Sequence, residues 1–101
     1  MTKPSPPTTA RVQHGACERQ QESITRALLI VKTELEEAYA KHGDFNSYHE
    51  GYAVILEELD EMWDEIKKRS KDDSSIWFEA TQVSAMGVKL MMFADRKMHP
   101  Q

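Results

Sequence analysis

Glu57, Glu58 and Glu61 crowd into the stretch EELDE, and Glu79 and Gln82 follow in EATQ. If both stretches are helical, a spacing of three puts Glu58 and Glu61 on adjacent turns, where two carboxylates can converge on one ion. Carboxylate oxygens suit Mg²⁺, which keeps several waters and usually binds a few carboxylates together with substrate phosphates; Mn²⁺ accepts the same ligands. Glu79 and Gln82, also three apart, would add oxygens from a second helix. Met86, Lys89 and Phe93 continue that second line at heptad spacing and place a cation further along it.

The carboxylates are not arranged for local pairing. Like charges four apart on a helix repel by ~0.2–0.5 kcal/mol per pair. Glu57 faces Glu61, Asp60 faces Asp64, and Glu61 faces Glu65, with Lys68 and Arg69 offsetting only the end. An earlier segment does compensate, as Lys32 with Glu36 and Glu37 with Lys41. At roughly 100° per residue, Glu57, Glu58 and Glu61 fall in one arc, about 130° from the apolar stripe of their helix. The expectation is a second, separate face needing a cation or water. Plainer accounts exist for each group: a solvated acidic face, a first-turn acid favoured by the helix dipole for Glu79, a snorkelling surface lysine for Lys89.

Three helices must position these groups. The first is predicted over 18–41, with Ile24, Leu28, Val31, Leu35 and Ala38 along one face and Gly43 ending it. The second starts at Ser47 in the capping-box pattern SYHE and carries Tyr52, Ile55, Leu59, Met62 and Ile66. It fades in KKRSKDDSS, where Asp73, Ser74 or Ser75 can cap the third, over 76–97. That helix has a stripe of Ile76, Ala80, Val83, Gly87, Leu90 and Ala94, with Gly87 suited to a close helix approach. Residues 1–16, which include Pro4, Pro6 and Pro7, read as a flexible tail, and residues 17–98 as one all-α domain of antiparallel hairpins. Trp63, Trp77, Phe78, Met86, Met91, Met92 and Phe93 exceed one stripe per helix, so an oligomeric bundle, a homodimer or dimer of dimers, is expected.

The bulk composition narrows the classes. A chain of 101 residues with net charge −4 has room for one domain and lacks the basic face of a nucleic-acid binder. Neither a membrane span nor an export signal core is visible, so a cytoplasmic location is expected. Cys17 is the lone cysteine, which rules out an internal disulfide.

With both motifs in place, the chain resembles the MazG-like all-α nucleoside triphosphate pyrophosphatases. EELDE fits EExxE, and after seventeen intervening residues EATQ nearly fits ExxD. The flanking YHEGYAVILEELDEMWDEI and EATQVSAMGVKLMMFADR look like small phage and bacterial members, among them the MazZ-type purine deoxynucleotide enzymes. The resemblance spans about residues 24–96. EExxE alone is common in acidic helices; the second motif is what makes the likeness informative. It implies Mg²⁺-dependent cleavage of a (d)NTP, with dATP or dGTP first in line, to monophosphate and pyrophosphate. By the same analogy, Glu58, Glu61, Glu79 and Gln82 would hold metal, with Glu57 and Glu58 serving catalysis. Lys89, Lys32 and Arg96 would meet the phosphates, and Tyr48, Trp63 or Trp77 would line a base pocket or pack in the core. Gln82 departs from the pattern: its amide oxygen can coordinate Mg²⁺, but one negative charge is missing.

Other constellations fail on spacing. No Glu-x-x-His pair supports a di-iron bundle. HEGYA lacks the second histidine of a zinc protease, and DFNSYHEG has His49 where a calcium loop needs glycine. Cys17 has no partner that argues for a nucleophile. The alternatives to an enzyme are a helical protein-interaction module and a nucleotide-binding regulator without turnover.

Overall fold

The computed structural model describes residues 15–100 and is all-helical over that range. Residues 1–14, most of the expected tail, lie outside the described residues. The helices are α1 (Glu18–His42), α2 (Tyr48–Ile66) and α3 (Asp73–Met98). None is long and apolar enough to cross a membrane.

Local chemistry sets the boundaries. Gly43 stops α1 with φ 68° and ψ −154°, a region that a side chain disfavours. Ser47 caps α2 by accepting from the Glu50 amide at 3.0 Å. Glu50 does not return to Ser47: its carboxylate takes the Asn46 amide at 3.1 Å and the Asn46 side chain at 3.0 Å. Those donors hold the Glu50 carboxyl below its ordinary pKa. The third helix begins three residues before its predicted start, and its cap is Asp72 rather than Asp73, Ser74 or Ser75. The Asp72 carboxylate gathers the Ser74 amide and the hydroxyls of Ser74 and Ser75, three donors that an extended Asp72 can reach at once.

Helix α3 packs against both α1 and α2, which do not pack against each other. Facing pairs show that α2 and α3 are antiparallel: Tyr48 lies edge-on to Phe93, Gly51 against Leu90, and Glu61 near Glu79. The hairpin expectation holds for this pair. By contrast, α1 runs in the direction of α3, with Ala27 and Ile30 beside Trp77 and Tyr39 beside Arg96.

On α1 the predicted stripe packs inward at Val31, Leu35 and Ala38, with Ile24 and Leu28 exposed; the packed faces of α2 and α3 differ from the predicted ones. The core is Phe45, Ala85, Met86 and Phe93, joined by Val31, Leu35, Ala38, Val54, Ile55 and Leu90. On α2 the inward face has turned toward the carboxylates. Gly51, Val54, Ile55 and Glu58 face inwards, while Tyr52, Leu59 and Trp63 are exposed. The acidic residues are thus the margin of the packed face, not a separate one. On α3 the buried line is Thr81, Ala85, Met86, Lys89 and Phe93, and the small-residue stripe is only half-buried. Both tryptophans are more than half exposed, so neither is core.

The close approach falls at Gly51, not Gly87. A Cβ at Gly51 would lie 2.7 Å from Leu90 Cδ1 and 3.3 Å from the Phe45 ring, whereas one at Gly87 would meet nothing within 4 Å. Adding a methyl at Gly87 should therefore bring only the helix-propensity gain of about 1 kcal/mol. At Gly51 overpacking of about 1–3 kcal/mol opposes that gain. Chemical denaturation should rank Gly87→Ala above Gly51→Ala by about 2 kcal/mol, and equal stabilities would contradict this packing.

Candidate metal centre

Antiparallel packing brings Glu58 and Glu61 of α2 against Glu79 of α3. One carboxylate oxygen from each lies within 4.8 Å of the other two. Glu58 and Glu79 are half-buried and Glu61 is exposed, so the group sits at the rim of the helix interface. Because α3 starts at Asp73, Glu79 is almost two turns inside it. The helix dipole acts within the first turn, where Asp73 stands, and does not account for Glu79.

The electrostatics follow from this crowding. Burial is the main cause that pushes the Glu58 carboxyl up to about 7, followed by the charge of Glu61, a hydrogen bond with Glu61, and the charges of Glu79 and Glu57. Burial likewise raises Glu79, helped by Glu61 and Glu65. Glu79 Oε2 is buried without a hydrogen-bond partner, an arrangement that costs free energy unless something meets that oxygen. Charges this close lie inside a Debye length of ~8 Å, so salt screens them poorly. The donor set, three hard carboxylate oxygens with one orphaned and buried, fits a divalent cation such as Mg²⁺.

The end of α2 neutralises itself, with the pairing displaced by one residue. Asp64 pairs with Lys67 at 3.0 Å and Glu65 with Lys68 at 2.8 Å, instead of Lys68 and Arg69. Three-residue spacing lets each short acid meet the lysine on the next turn. No described cation pairs with Glu58, Glu61 or Glu79.

Beside the carboxylates opens a cavity of about 580 Å³ between α1, the 43–47 loop, α2 and α3. Glu58, Gln82 and Met86 line one part, with Lys89, Phe45 and Asn46 next to them. Glu34, Glu37, Lys41 and His42 of α1 complete it. Its size suits a small-molecule ligand. Lys89 is not a surface lysine: only 3% of it is exposed. Its Nζ lies 4.5 Å from the Phe45 ring centroid and 5.3 Å from that of Tyr39, a contact through which aromatic faces attract a cation.

The other predicted residues are distributed as follows. Gln82 shares the cavity with Glu58 and Lys89. Glu57 is exposed and outside the trio, acting on Glu58 through its charge. Lys32 is exposed and paired with Glu36 at 3.3 Å. Arg96 lies outside the cavity and bonds Asp44 and Tyr39. Tyr48, Trp63 and Trp77 do not line the cavity either. Sequence reading missed Phe45, Tyr39 and Asn46. Phe45 sits in a loop without periodicity, so its only signal was an aromatic residue between two helix-ending patterns. Glu37 and Lys41 were visible at helical spacing but read as local charge compensation, and Glu34 was missed.

The raised Glu58 pKa has a definite sign. The unfolded carboxyl titrates near 4.5 and the folded one near 7 without metal. Between those values the native state binds more protons, so metal-free stability should fall as pH rises from about 4.5 to about 7. Glu58→Gln should flatten that slope. Mg²⁺ bound there would compete with the proton for the same oxygens, so its stabilisation should grow through pH 7. Thermal melts above pH 7 should show a rise on the order of 10 °C at a hundredfold excess of Mg²⁺ over Kd, and little rise in Glu58→Gln; an equal rise in both would place the ion elsewhere.

Comparison of the chain with protein-family models, with curated proteins and with solved structures finds no match.

Proposed function

We propose that this chain is a Mg²⁺-dependent nucleoside triphosphate pyrophosphohydrolase of the MazG-like type, with a purine deoxynucleoside triphosphate as the first substrate to test and Mn²⁺ as a substitute ion. The observation that carries the reading is the convergence of Glu58, Glu61 and Glu79 from two helices, with an orphaned buried oxygen, where Glu58 also lines a cavity holding a buried lysine. These are the acids that match EExxE and ExxD.

In this reading Glu58, Glu61 and Glu79 would hold the ion, and the Gln82 amide oxygen would be a further ligand. When bound, the ion supplies positive charge against the triphosphate and polarises its phosphoryl oxygens. Lys89 presents a second positive charge to the polyphosphate within the same cavity. Positioning and charge stabilisation dominate phosphoryl transfer, so the helix scaffold contributes chiefly by fixing these groups. Water adds at the α-phosphorus and the bond to the β-phosphate oxygen breaks. Pyrophosphate then leaves, and the proton of the water passes to a carboxylate. Glu57, exposed beside Glu58, would orient that water or take that proton.

A second copy of the chain belongs to the same reading. Leu28 is 61% exposed, and Ile24, Leu59, Trp63, Trp77 and Met91 are also exposed. Apolar side chains in such number on three helices favour burial against another chain, and a second copy offers matching faces. Static light scattering should give at least twice the monomer mass, and Leu28→Glu with Trp63→Glu should reduce it to the monomer. The rival, a helical interaction module without chemistry, draws support from the same exposed faces but leaves the orphaned Glu79 oxygen unexplained.

The decisive experiment is incubation with Mg²⁺ and each (d)NTP, followed by assay of pyrophosphate and monophosphate. Glu58→Gln and Glu61→Gln should each lower turnover at least a hundredfold while circular dichroism stays helical, roughly the scale of losing one strong transition-state stabiliser. Binding without turnover would favour a nucleotide-binding regulator. Neither binding nor turnover would favour the interaction module.

A further inference from the structure

Among the described residues, the side-chain hydrogen bonds that join distant parts of the chain are the two made by Arg96. Its Nη2 donates to the Tyr39 hydroxyl at 3.3 Å and to the Asp44 carboxylate. Tyr39 in turn donates to Asp44 Oδ1 at 3.3 Å, and the Phe45 amide donates to that same oxygen at 3.0 Å. One guanidinium on α3 thus ties the end of α1 to the 43–47 loop. The rings set by this tie, Tyr39 and Phe45, are the two that contact the Lys89 ammonium.

Lys89 depends on those rings. No described carboxylate lies within ion-pair distance of it; Glu50 feels its charge from further off, and the described groups in contact with its ammonium are the two ring faces. An ammonium on a flexible four-carbon stem takes its position from what it rests on. The Arg96–Asp44 pair is substantially exposed on both sides, and such pairs add little stability. Arg96 also lies outside the cavity lining, which argues against direct contact with a ligand there.

We propose that Arg96 is a positioning residue for Lys89: through Asp44 and Tyr39 it fixes the aromatic wall that aims the Lys89 ammonium into the cavity. The inference rests on the reading of that cavity as the polyphosphate site, and it moves Arg96 from phosphate ligand to support.

The test uses the full chain with inorganic triphosphate and Mg²⁺ as the probe, measured by calorimetry, and acetic anhydride labelling of Lys89 read by peptide mass spectrometry. Tyr39→Phe removes only the hydroxyl, and Arg96→Gln removes the tie. Each should increase Lys89 labelling severalfold and weaken triphosphate binding about tenfold, the scale of one misplaced charged contact. Mg²⁺ affinity in the absence of triphosphate should not change, and Arg96→Lys should recover part of the loss. The double variant Lys89→Ala/Arg96→Gln should bind no worse than Lys89→Ala alone, because both changes act through one contact. Additive losses would mean that Arg96 touches the ligand itself, and unchanged labelling would mean that it does not position Lys89; either overturns the proposal. If the unaltered protein binds no triphosphate, the polyphosphate reading fails, and labelling of Tyr39→Phe and Arg96→Gln still decides the positioning role.

Discussion

The structure turns on a buried cation that rests on aromatic rings. Lys89 occupies the inner face of the one helix that touches both others, and Phe45 and Tyr39 come from the two segments preceding α2. A buried ammonium without a carboxylate in ion-pair contact would be costly; the ring quadrupoles and the acids that line the same cavity, Glu50 among them, offset part of that cost. This contact explains why the 43–47 loop folds inward. Phe45 must reach Lys89, Gly51 must leave room for Phe45 and Leu90, and α2 must then cross α3 along its Gly51–Glu58 side. The rotation of α2 toward its acids follows from that seating.

The same rotation creates the electrostatic problem at Glu58, Glu61 and Glu79. Had α2 packed on Tyr52, Leu59 and Ile66, the acids would have lain in water, where repulsion is weak. Packing on Gly51, Val54 and Ile55 brings Glu58 to the interface and Glu79 to meet it. Three carboxylates there have two remedies, a proton or a divalent ion. The elevated Glu58 pKa is the first. The second uses the same oxygens, which makes proton and metal competitors and links occupancy to pH around neutrality.

Helix existence and type were legible in the sequence because caps and breakers act locally. Gly43, Ser47 and the KKRSKDDSS linker placed the ends within a few residues. Facing was less legible. On α3 the stripe from Ile76 to Ala94 is apolar, yet the opposite line buries a threonine and a lysine. Apolar periodicity finds a face that can be buried; it does not choose between two such faces when a helix has both, and a lysine counts against the right one. The choice was made by Phe45, a loop residue outside any period. The convergence of the acids, by contrast, was readable: Glu58 and Glu61 share a side at three-residue spacing, and antiparallel packing brings Glu79 opposite them. The bonds of Arg96 to Asp44 and Tyr39 were not legible, because those partners lie more than fifty residues away, beyond the reach of local pattern.

Gln82 fits this charge balance. It shares the cavity lining with both Glu58 and Lys89. The cavity already carries Glu34, Glu37, Asp44, Glu50 and Glu58 against Lys41 and Lys89. A carboxylate at position 82 would add a fourth charge to a trio that already holds one member partly protonated. It would also oppose the approach of a polyanion toward Lys89. An amide keeps an oxygen for a cation without that repulsion, and gives up one unit of attraction for the metal. Compared with an aspartate at that position, glutamine would weaken the hold on a bare divalent ion and ease the approach of one already paired with phosphates, the form in which magnesium usually binds.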